Sequence, residues 1–353
     1  MLTGRRAIAV SSAIALIYTV ALSAQQAPRK EAPRKLTKAE EAEKTAIYAL
    51  VNGASAGQAP NDFSVTWVRD DVLKASDNLE YVPFILSVDP AKLGPKPVTV
   101  YWRVVSTAAP PPAAAPAKGG NDKSAPTAIF AWEQLTTGTA TPTESGGGKI
   151  SRSFTVLPGN YDVFVVVKEP TPEKAPKNAP PVKATVIKKN IDVPDMWNGE
   201  LTTSSVFIGR IDPLPAPLTP QQTTERPYAA LGTMEITPDL DTKFTKKGEL
   251  STFMLIYNAK IDTANKPDVM VEYNFYAKQA GAEKFFNKTN PQNLNAATLP
   301  PQFDLSAGHQ LQAGQAVPLA SFPEGDYRLE IKVTDKLANK ILTRDVNFSV
   351  AGS

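Results

Sequence analysis

The chain of 353 residues contains no cysteine, a single histidine, and 38 Lys and Arg against 35 Asp and Glu, a net charge of +3. Without cysteine there are no disulfides, thiolate metal ligands or lipoprotein-type signal, so stability has to come from packing, and the length points to two domains. One histidine without cysteine is too few for a histidine-ligated zinc or a two-histidine iron site, and a small net charge without a basic block makes nucleic acid a poor partner.

Residues 1–24 read as an export signal. Arg5 and Arg6 precede an apolar stretch from Ala7 to Leu22, and Ala21-Leu-Ser-Ala24 places small residues where a signal peptidase cuts, after Ser23 or Ala24. The stretch is shorter than the roughly 20 apolar residues that cross a bilayer, so a retained anchor is the lesser alternative. Gly4 stands where a twin-arginine signal has Ser or Thr, which favours general secretion and a periplasmic or secreted product. Setting Arg5 and Arg6 aside leaves the remainder at +1.

Residues 25–59 form a polar segment that leads into one helix. Thr37 and Glu40 make a capping box, and Ala39, Ala42, Ala46, Ile47 and Leu50 recur at helical spacing until Asn52-Gly53, which predicts a helix over 38–51. Its alanine-rich stripe fits a small packing helix or a spacer, with partner binding or oligomerisation as the functional alternative.

From residue 60 the periodicity changes to two. Phe63, Val65 and Trp67, then the runs Tyr81 to Val88, Val98 to Val104, Ile129 to Leu135, Ser151 to Val156, Tyr161 to Val167 and Ala184 to Val193 predict seven strands over 60–200, a Greek-key sandwich. Residues 201–228 read as a bridging strand, Leu201 to Gly209, followed by a proline-rich linker, because consecutive prolines cannot donate to a central ladder. Over 229–353 the order repeats in Met234 to Thr237, Leu250 to Tyr257, Val269 to Tyr276, Glu283 to Phe286, Ala316 to Leu319, Tyr327 to Val333 and Ile341 to Val350. The segments Thr107 to Thr127, Thr139 to Lys149 and Pro170 to Pro181 are rich in Ala, Pro, Gly and Lys and read as solvated loops.

The duplication is plainest in one phrase. Leu157-Pro-Gly-Asn-Tyr161-Asp-Val-Phe-Val-Val-Val167 is echoed by Phe322-Pro-Glu-Gly-Asp-Tyr327-Arg-Leu-Glu-Ile-Lys-Val333, Lys96-Pro97 by Lys266-Pro267, and Trp102 falls opposite Tyr273. In immunoglobulin-like sandwiches a tyrosine at such a corner lays its ring on the core and returns its hydroxyl to the backbone upstream, which assigns Tyr161 and Tyr327 to structure. Trp102 matches the core tryptophan of such folds, without the flanking cysteine pair. The fold class is therefore all-β: two tandem immunoglobulin-like β-sandwich domains, preceded by a signal peptide and a short helix.

Leu201 to Gly209, the proline-rich gap, Met234-Glu-Ile-Thr-Pro238, Leu250 to Tyr257 and the closing Phe322 to Asp335 resemble the β-sandwich tails of exported bacterial proteins of the von Willebrand factor A-like and GWxTD type. The resemblance implies a sandwich. No Gly-Trp pair is present and no α/β domain with alternating helices precedes it, so it implies no metal-dependent adhesion.

Residues able to do chemistry are sparse. Asp62-Phe-Ser64-Val-Thr66 matches an Asp-x-Ser-x-Thr metal motif but opens a strand rather than preceding a helix, and Gly119 to Ser124 lacks the glycine and helix of a phosphate loop. His309 lies in a polar loop. Asp70, Asp71, Asp239, Asp241 and Glu133 are the acids weighed for a carboxylate-dependent hydrolase, and none has the spacing such an enzyme needs. Asp239, Asp241 and Asp335 are weighed for calcium, which takes six to eight oxygens, and read instead as turn formers. The expectation is an exported, non-enzymatic interaction or structural module without cofactor or metal, its partner a protein or cell-envelope component. It would bind through a sheet face or an edge strand and have no membrane span once the signal is cleaved. The alternatives are a carbohydrate-binding sandwich using Trp132, Tyr101 or Trp197, and the hydrolase.

Overall fold

The structure is a computed structural model that describes residues 37–94, 96–108, 130–143, 146–172, 182–229, 234–279 and 282–352. Residues 1–24, expected as an export signal, Gln25 to Lys35, the phosphate-loop-like Gly119 to Ser124, Ala109 to Thr127 and Glu173 to Pro181 lie outside the described residues. No helix among the described residues is long and apolar enough to cross a membrane.

Two compact units share the chain. Among the described residues, the N-terminal unit holds 37–195 and 219–227, and the C-terminal unit holds 196–218 and 228–352. The stretch expected to bridge the domains is thus divided, 201–213 entering sheets of the C-terminal unit and 219–227 returning to the N-terminal one.

The N-terminal unit begins with α1 (Lys38–Ser55), whose start is the expected capping box: Glu40 N–H donates to Thr37 Oγ1 at 3.3 Å and Thr37 N–H to Glu40 Oε2 at 2.8 Å. Asn52-Gly53 does not stop it. The helix runs another turn, because Ala54 packs on the buried cluster beneath, and the chain turns out at Gly57 with φ +82°. The strands are β1 (Thr66–Asp70), β2 (Leu73–Lys74), β3 (Glu80–Val88), β4 (Val98–Ser106), β5 (Trp132–Gly138), β6 (Thr141–Pro142), β7 (Gly148–Val156), β8 (Gly159–Lys168) and β9 (Ala184–Val193), with a one-turn helix α2 (Pro90–Leu93) capped by Asp89. One sheet has the order β1-β3-β7-β6 with β2 beside β3, the other β5-β4-β8-β9. The second and third strands of each sheet, β3 with β7 and β4 with β8, come from distant sequence, which is the Greek-key crossing of an immunoglobulin-like sandwich.

The C-terminal unit contains β10 (Thr202–Thr203), β11 (Phe207–Pro213), β12 (Met234–Pro238), β13 (Lys243–Thr245), β14 (Glu249–Tyr257), β15 (Val269–Gln279), β16 (Ala282–Lys288), β17 (Gln292–Leu294), β18 (Leu311–Pro318), β19 (Gly325–Asp335) and β20 (Lys340–Ala351). The short α3 (Pro220–Glu225), capped by Thr219 and Gln222, belongs to the N-terminal unit and lies against β7. Its Glu225 faces the buried Arg152, whose charge burial disfavours, lowering its pKa to about 10. One C-terminal sheet reads β10-β14-β11-β12 with β18 beside β14, the other β13-β20-β19-β15-β16 with β17 beside β15. β18 starts five residues before the expected Ala316 because Gln312, Gly314 and Gln315 interrupt its apolar alternation. β11 meets β12 at Gly209, where a Cβ would stand 2.1 Å from the Thr237 carbonyl oxygen, so only glycine fits.

The doubled phrase has one geometry in both units. Gly159 and Gly325 take φ +148° and +145°, a region that favours glycine, and turn the chain into β8 and β19. Two residues on, the Tyr161 hydroxyl donates to the Leu157 carbonyl at 2.8 Å and the Tyr327 hydroxyl to the Pro323 carbonyl at 2.7 Å, each four residues upstream. Register agrees as well: Trp102 is opposite Val165, four residues past Tyr161, and Tyr273 is opposite Ile331, four past Tyr327. Trp102 is fully buried and its indole N–H donates to the Ser153 carbonyl at 2.9 Å, tying one sheet to the other. Tyr161→Phe and Tyr327→Phe are each expected to cost about 1 kcal/mol, the net worth of one such hydrogen bond, read from urea unfolding midpoints.

Candidate functional site

The chemistry-bearing side chains of the N-terminal unit gather where α1 lies on the outer face of the β5-β4-β8-β9 sheet. The central strands β4 and β8 of this sheet are buried on both faces. The face away from the sandwich core presents Tyr101, Phe164, Val166 and Val186, all buried, and α1 covers them with Ile47 and Val51. Above this layer Glu133 of β5 accepts from the hydroxyls of Tyr48 and Tyr101, both at 2.6 Å, and from Arg103 Nη2 at 3.3 Å. Arg103 also donates through Nε to the Tyr101 hydroxyl at 2.6 Å, and its guanidinium carbon stands 3.8 Å from the Phe130 ring centroid and 4.3 Å from that of Tyr48. A second tie sits at the sheet's end, where the buried Lys168 ammonium reaches Glu43 at 2.6 Å and Thr171 at 3.0 Å, and the Thr171 hydroxyl donates to the same carboxylate.

These contacts set the charges. Burial pushes Glu133 upward, but the hydroxyls of Tyr101 and Tyr48 and the charges of Lys44 and Arg103 outweigh it and hold the carboxyl below its ordinary value. Glu43 behaves alike, burial being outweighed by Lys168 and Thr171. Burial and the neighbouring Glu133 push the Tyr101 and Tyr48 phenols up, so both stay protonated donors. Glu133 Oε1, the Tyr48 and Tyr101 hydroxyls and Arg103 Nε and Nη2 are all aimed at one another. The cluster holds a helix to a sheet.

The other acids weighed from sequence are likewise engaged. Asp62 accepts from the Ala184 N–H at 2.8 Å, Ser64 accepts from Lys92 Nζ at 2.5 Å, and Thr66 opens β1, so no helix follows the motif. Asp70 accepts the Trp67 indole N–H at 2.7 Å, and Asp71, nearly buried, holds Arg69 through two bonds of 2.6 and 2.8 Å. Asp241 accepts the Lys243 N–H at 3.2 Å in the turn before β13, and Asp239 donates its own N–H to the Ile208 carbonyl at 2.8 Å. Asp335 is fully buried, taking the N–H groups of Leu337 and Ala338 on one oxygen and that of Lys260 on the other. In Asp335 backbone amide protons thus occupy both carboxylate oxygens. The His309 Nδ1 accepts the Asp304 N–H at 2.9 Å, closing its own loop. No group of three or more His, Cys, Asp or Glu side chains among the described residues is placed to hold a metal.

The aromatic residues considered for a sugar platform lie in different environments. Tyr101, expected to be exposed, is buried beneath α1, because the sheet face it lies on is apolar. Trp132 and Trp197 are half-buried and belong to different units, and the Trp132 indole nitrogen is itself buried.

The corresponding sheet of the C-terminal unit is built the opposite way on its outer face. In β15, Glu272, Asn274 and Tyr276 alternate with buried Val271, Tyr273 and Phe275; in β19, Arg328, Glu330 and Lys332 alternate with buried Leu329, Ile331 and Val333. Arg328 is the hub, pairing with Asp345 at 2.6 Å, Glu283 at 2.8 Å and Glu330 at 3.4 Å, with its guanidinium carbon 4.4 Å from the Tyr276 ring centroid. Burial works against its charge, but the bonds to Asp345 and Glu283 more than offset it and raise its pKa. Tyr276 packs edge to face on Phe285 of β16 at 5.8 Å, and Phe285 remains 51% exposed. Tyr276, Phe285 and Arg328 are not among the residues picked from sequence, although the strict alternation of β15 and β19 marks their face as solvent-facing.

No protein-family model matches the chain and no curated protein matches it. Among solved structures, an immunoglobulin-like protein of Pseudomonas aeruginosa aligns at 11% identity and a TM-score of 0.20, over 42% of this chain and 97% of that one. The native conformation of Escherichia coli alpha-2-macroglobulin aligns at 10% identity and a TM-score of 0.21, over 83% of this chain and 16% of that one. Red sea bream transglutaminase aligns at 8% identity and a TM-score of 0.19, over 90% of this chain and 35% of that one. The fold assignment rests on strand order and register, not on these superpositions.

The folded-state carboxyls of Glu43 and Glu133 lie below their ordinary value of 4.5, so their contribution is present above that value and lost as pH falls through the lower folded values. Acid is therefore expected to loosen α1 below about pH 4.5, and the double substitution Glu43→Gln with Glu133→Gln should flatten that part of the stability profile, followed by urea unfolding at stepped pH. Ile47→Ala, at a fully buried position, is expected to cost about 2–5 kcal/mol in the same measurement.

Proposed function

We propose that the chain is an exported, non-enzymatic interaction or structural module of the periplasm or cell exterior, with a protein or cell-envelope component as its partner. The observation that supports this reading is the contrast between two equivalent outer sheet faces. The N-terminal one is sealed by α1, and the C-terminal one is left to solvent with the Tyr276–Phe285 pair at its edge among fixed charges. An exposed aromatic beside a rigid Arg–carboxylate array is the composition that protein partners use as an anchor. The acids that a hydrolase would need are engaged in turns and in helix docking, which supports a binding role over a catalytic one. A sandwich tail of the kind that exported bacterial proteins carry fits the same role.

Photo-crosslinking capture from the exporting cell tests it, with wild type compared with Tyr276→Ala and Phe285→Ser. Both variants are expected to keep the wild-type unfolding midpoint and to lose about tenfold or more of the captured partner, as loss of a central anchor does. Unchanged capture would assign the partner to another surface, and turnover of a substrate abolished by Glu133→Gln would overturn the non-enzymatic reading. N-terminal sequencing of the periplasmic product is expected to begin at Ala24 or Gln25.

A further inference from the structure

Sheet edges offer unpaired N–H and C=O groups, and folded proteins blunt them with lysine, proline, bulges or brevity. Nearly every edge in this chain carries such a device. β1 is broken in register between Trp67 and Arg69, and β6 is two residues long and contains Pro142. The start of β9 is covered by residues 60–62, and its middle carries Lys188 and Lys189. In the C-terminal unit β12 ends in Pro238, β13 has three residues including Lys243, β16 carries Lys284 and Lys288, and β20 beyond β13 carries Lys340, Arg344 and Asp345. β18 has no charge, but the Gln292 side chain takes its Gly314 N–H at 3.3 Å.

Among the described residues β5 is the exception. Its seven residues, Trp132-Glu-Gln-Leu-Thr-Thr-Gly138, include no Lys, Arg or Pro, and they pair with β4 in unbroken register from Val104↔Trp132 to Val98↔Gly138. Its one charge, Glu133, is drawn onto the sheet face by Tyr48, Tyr101 and Arg103 rather than left to repel a strand. α1 packs on β8 and β9, at the other side of the same sheet. Leu135, at the middle of the strand, is 47% exposed.

We infer that β5 is a self-association edge, which pairs antiparallel with β5 of a second copy about a twofold axis through Leu135. The sequence is complementary to itself in this register. Leu135 meets Leu135, Gln134 meets Thr136, the aromatic Trp132 meets Gly138, and the single carboxylate of Glu133 meets the neutral Thr137, so no like charges oppose one another. A like charge opposite Glu133, or a β-branched residue opposite the indole, would disfavour this register. The twofold contact also closes on itself, joining two four-stranded sheets into one and leaving no β5 edge open to further growth.

Sedimentation velocity of the full chain as the exporting cell releases it is expected to show a concentration-dependent monomer–dimer equilibrium, weakened about tenfold or more by the gatekeeper substitution Leu135→Lys. The chain contains no cysteine, so a single one reports position. Directly opposed Cα atoms stand ~4.5–5.5 Å apart in an antiparallel pair, within disulfide reach. Leu135→Cys should therefore form a disulfide-linked dimer under mild oxidation much faster than Ile341→Cys, a 61% exposed position on β20. A strictly monomeric chain, equal rates at the two positions, a dimer indifferent to Leu135→Lys, or a different polypeptide cross-linked at position 135 would each overturn the inference.

Discussion

The docking of α1 onto the outer face of β5-β4-β8-β9 is the contact on which the N-terminal unit depends. β8 reads Tyr-Asp-Val-Phe-Val-Val-Val, an apolar run with almost no alternation, and such a strand is stable only if both of its faces leave water. One face meets the opposing sheet. The other, with Phe164, Val166 and Tyr101, would form an exposed apolar patch of the kind that invites aggregation if the helix were absent. An alanine-rich helix of this length is marginal by itself in water, so helix and sheet each owe their stability to the other.

Apolar contact alone would leave the helix free to slide along the sheet, and the polar ties remove that freedom. Glu133 receives Tyr48 from the helix and Tyr101 and Arg103 from the sheet on a single oxygen, and Glu43 meets Lys168 about one helical turn away from Tyr48. Removing one member would strand a buried charge, which costs more than the pair contributes, so the cluster specifies position more than it adds stability. The Lys168 ammonium, nearly buried, makes the point: without Glu43 it would be an unpaired cation at the end of a core strand.

Much of the architecture is legible in the residues. Glycine two positions before tyrosine marked both corners, because the positive φ and the hydroxyl-to-carbonyl bond are local requirements that a short phrase can carry. The capping box at Thr37 was legible for the same reason. Non-local features were not. Asn52-Gly53 looked like a helix stop because nothing local shows that Ala54 will find a packing partner on a sheet, and Leu201 to Gly209 looked like a bridge because its partner β14 lies some fifty residues on. The buried place of Tyr101 was written in the missing alternation of β4 and β8, a signal that concerns the sheet as a whole rather than any single residue. The aromatic and basic residues of the open C-terminal face were visible in the alternation of β15 and β19, but no chemical motif distinguishes a solvated face from a binding one.

The two units show how one frame can be turned to different ends by its outward residues alone. Corner tyrosine, strained glycine and the register of Trp102 and Tyr273 are common to both, and all of them point inward or along the backbone. Arg103, Phe164 and Val166 hold outward positions that in the other unit are held by Asn274, Glu330 and Lys332, counting from the same paired residues. Those substitutions leave the core untouched, since the side chains of a strand alternate between faces. They decide whether a sheet must recruit a helix or can remain in water. In the first unit the recruited helix packs chiefly on β8 and β9 and meets β5 only on its face, through Tyr48 and Glu133. The covering of one face therefore leaves β5, the last strand of the same sheet among the described residues, at its edge.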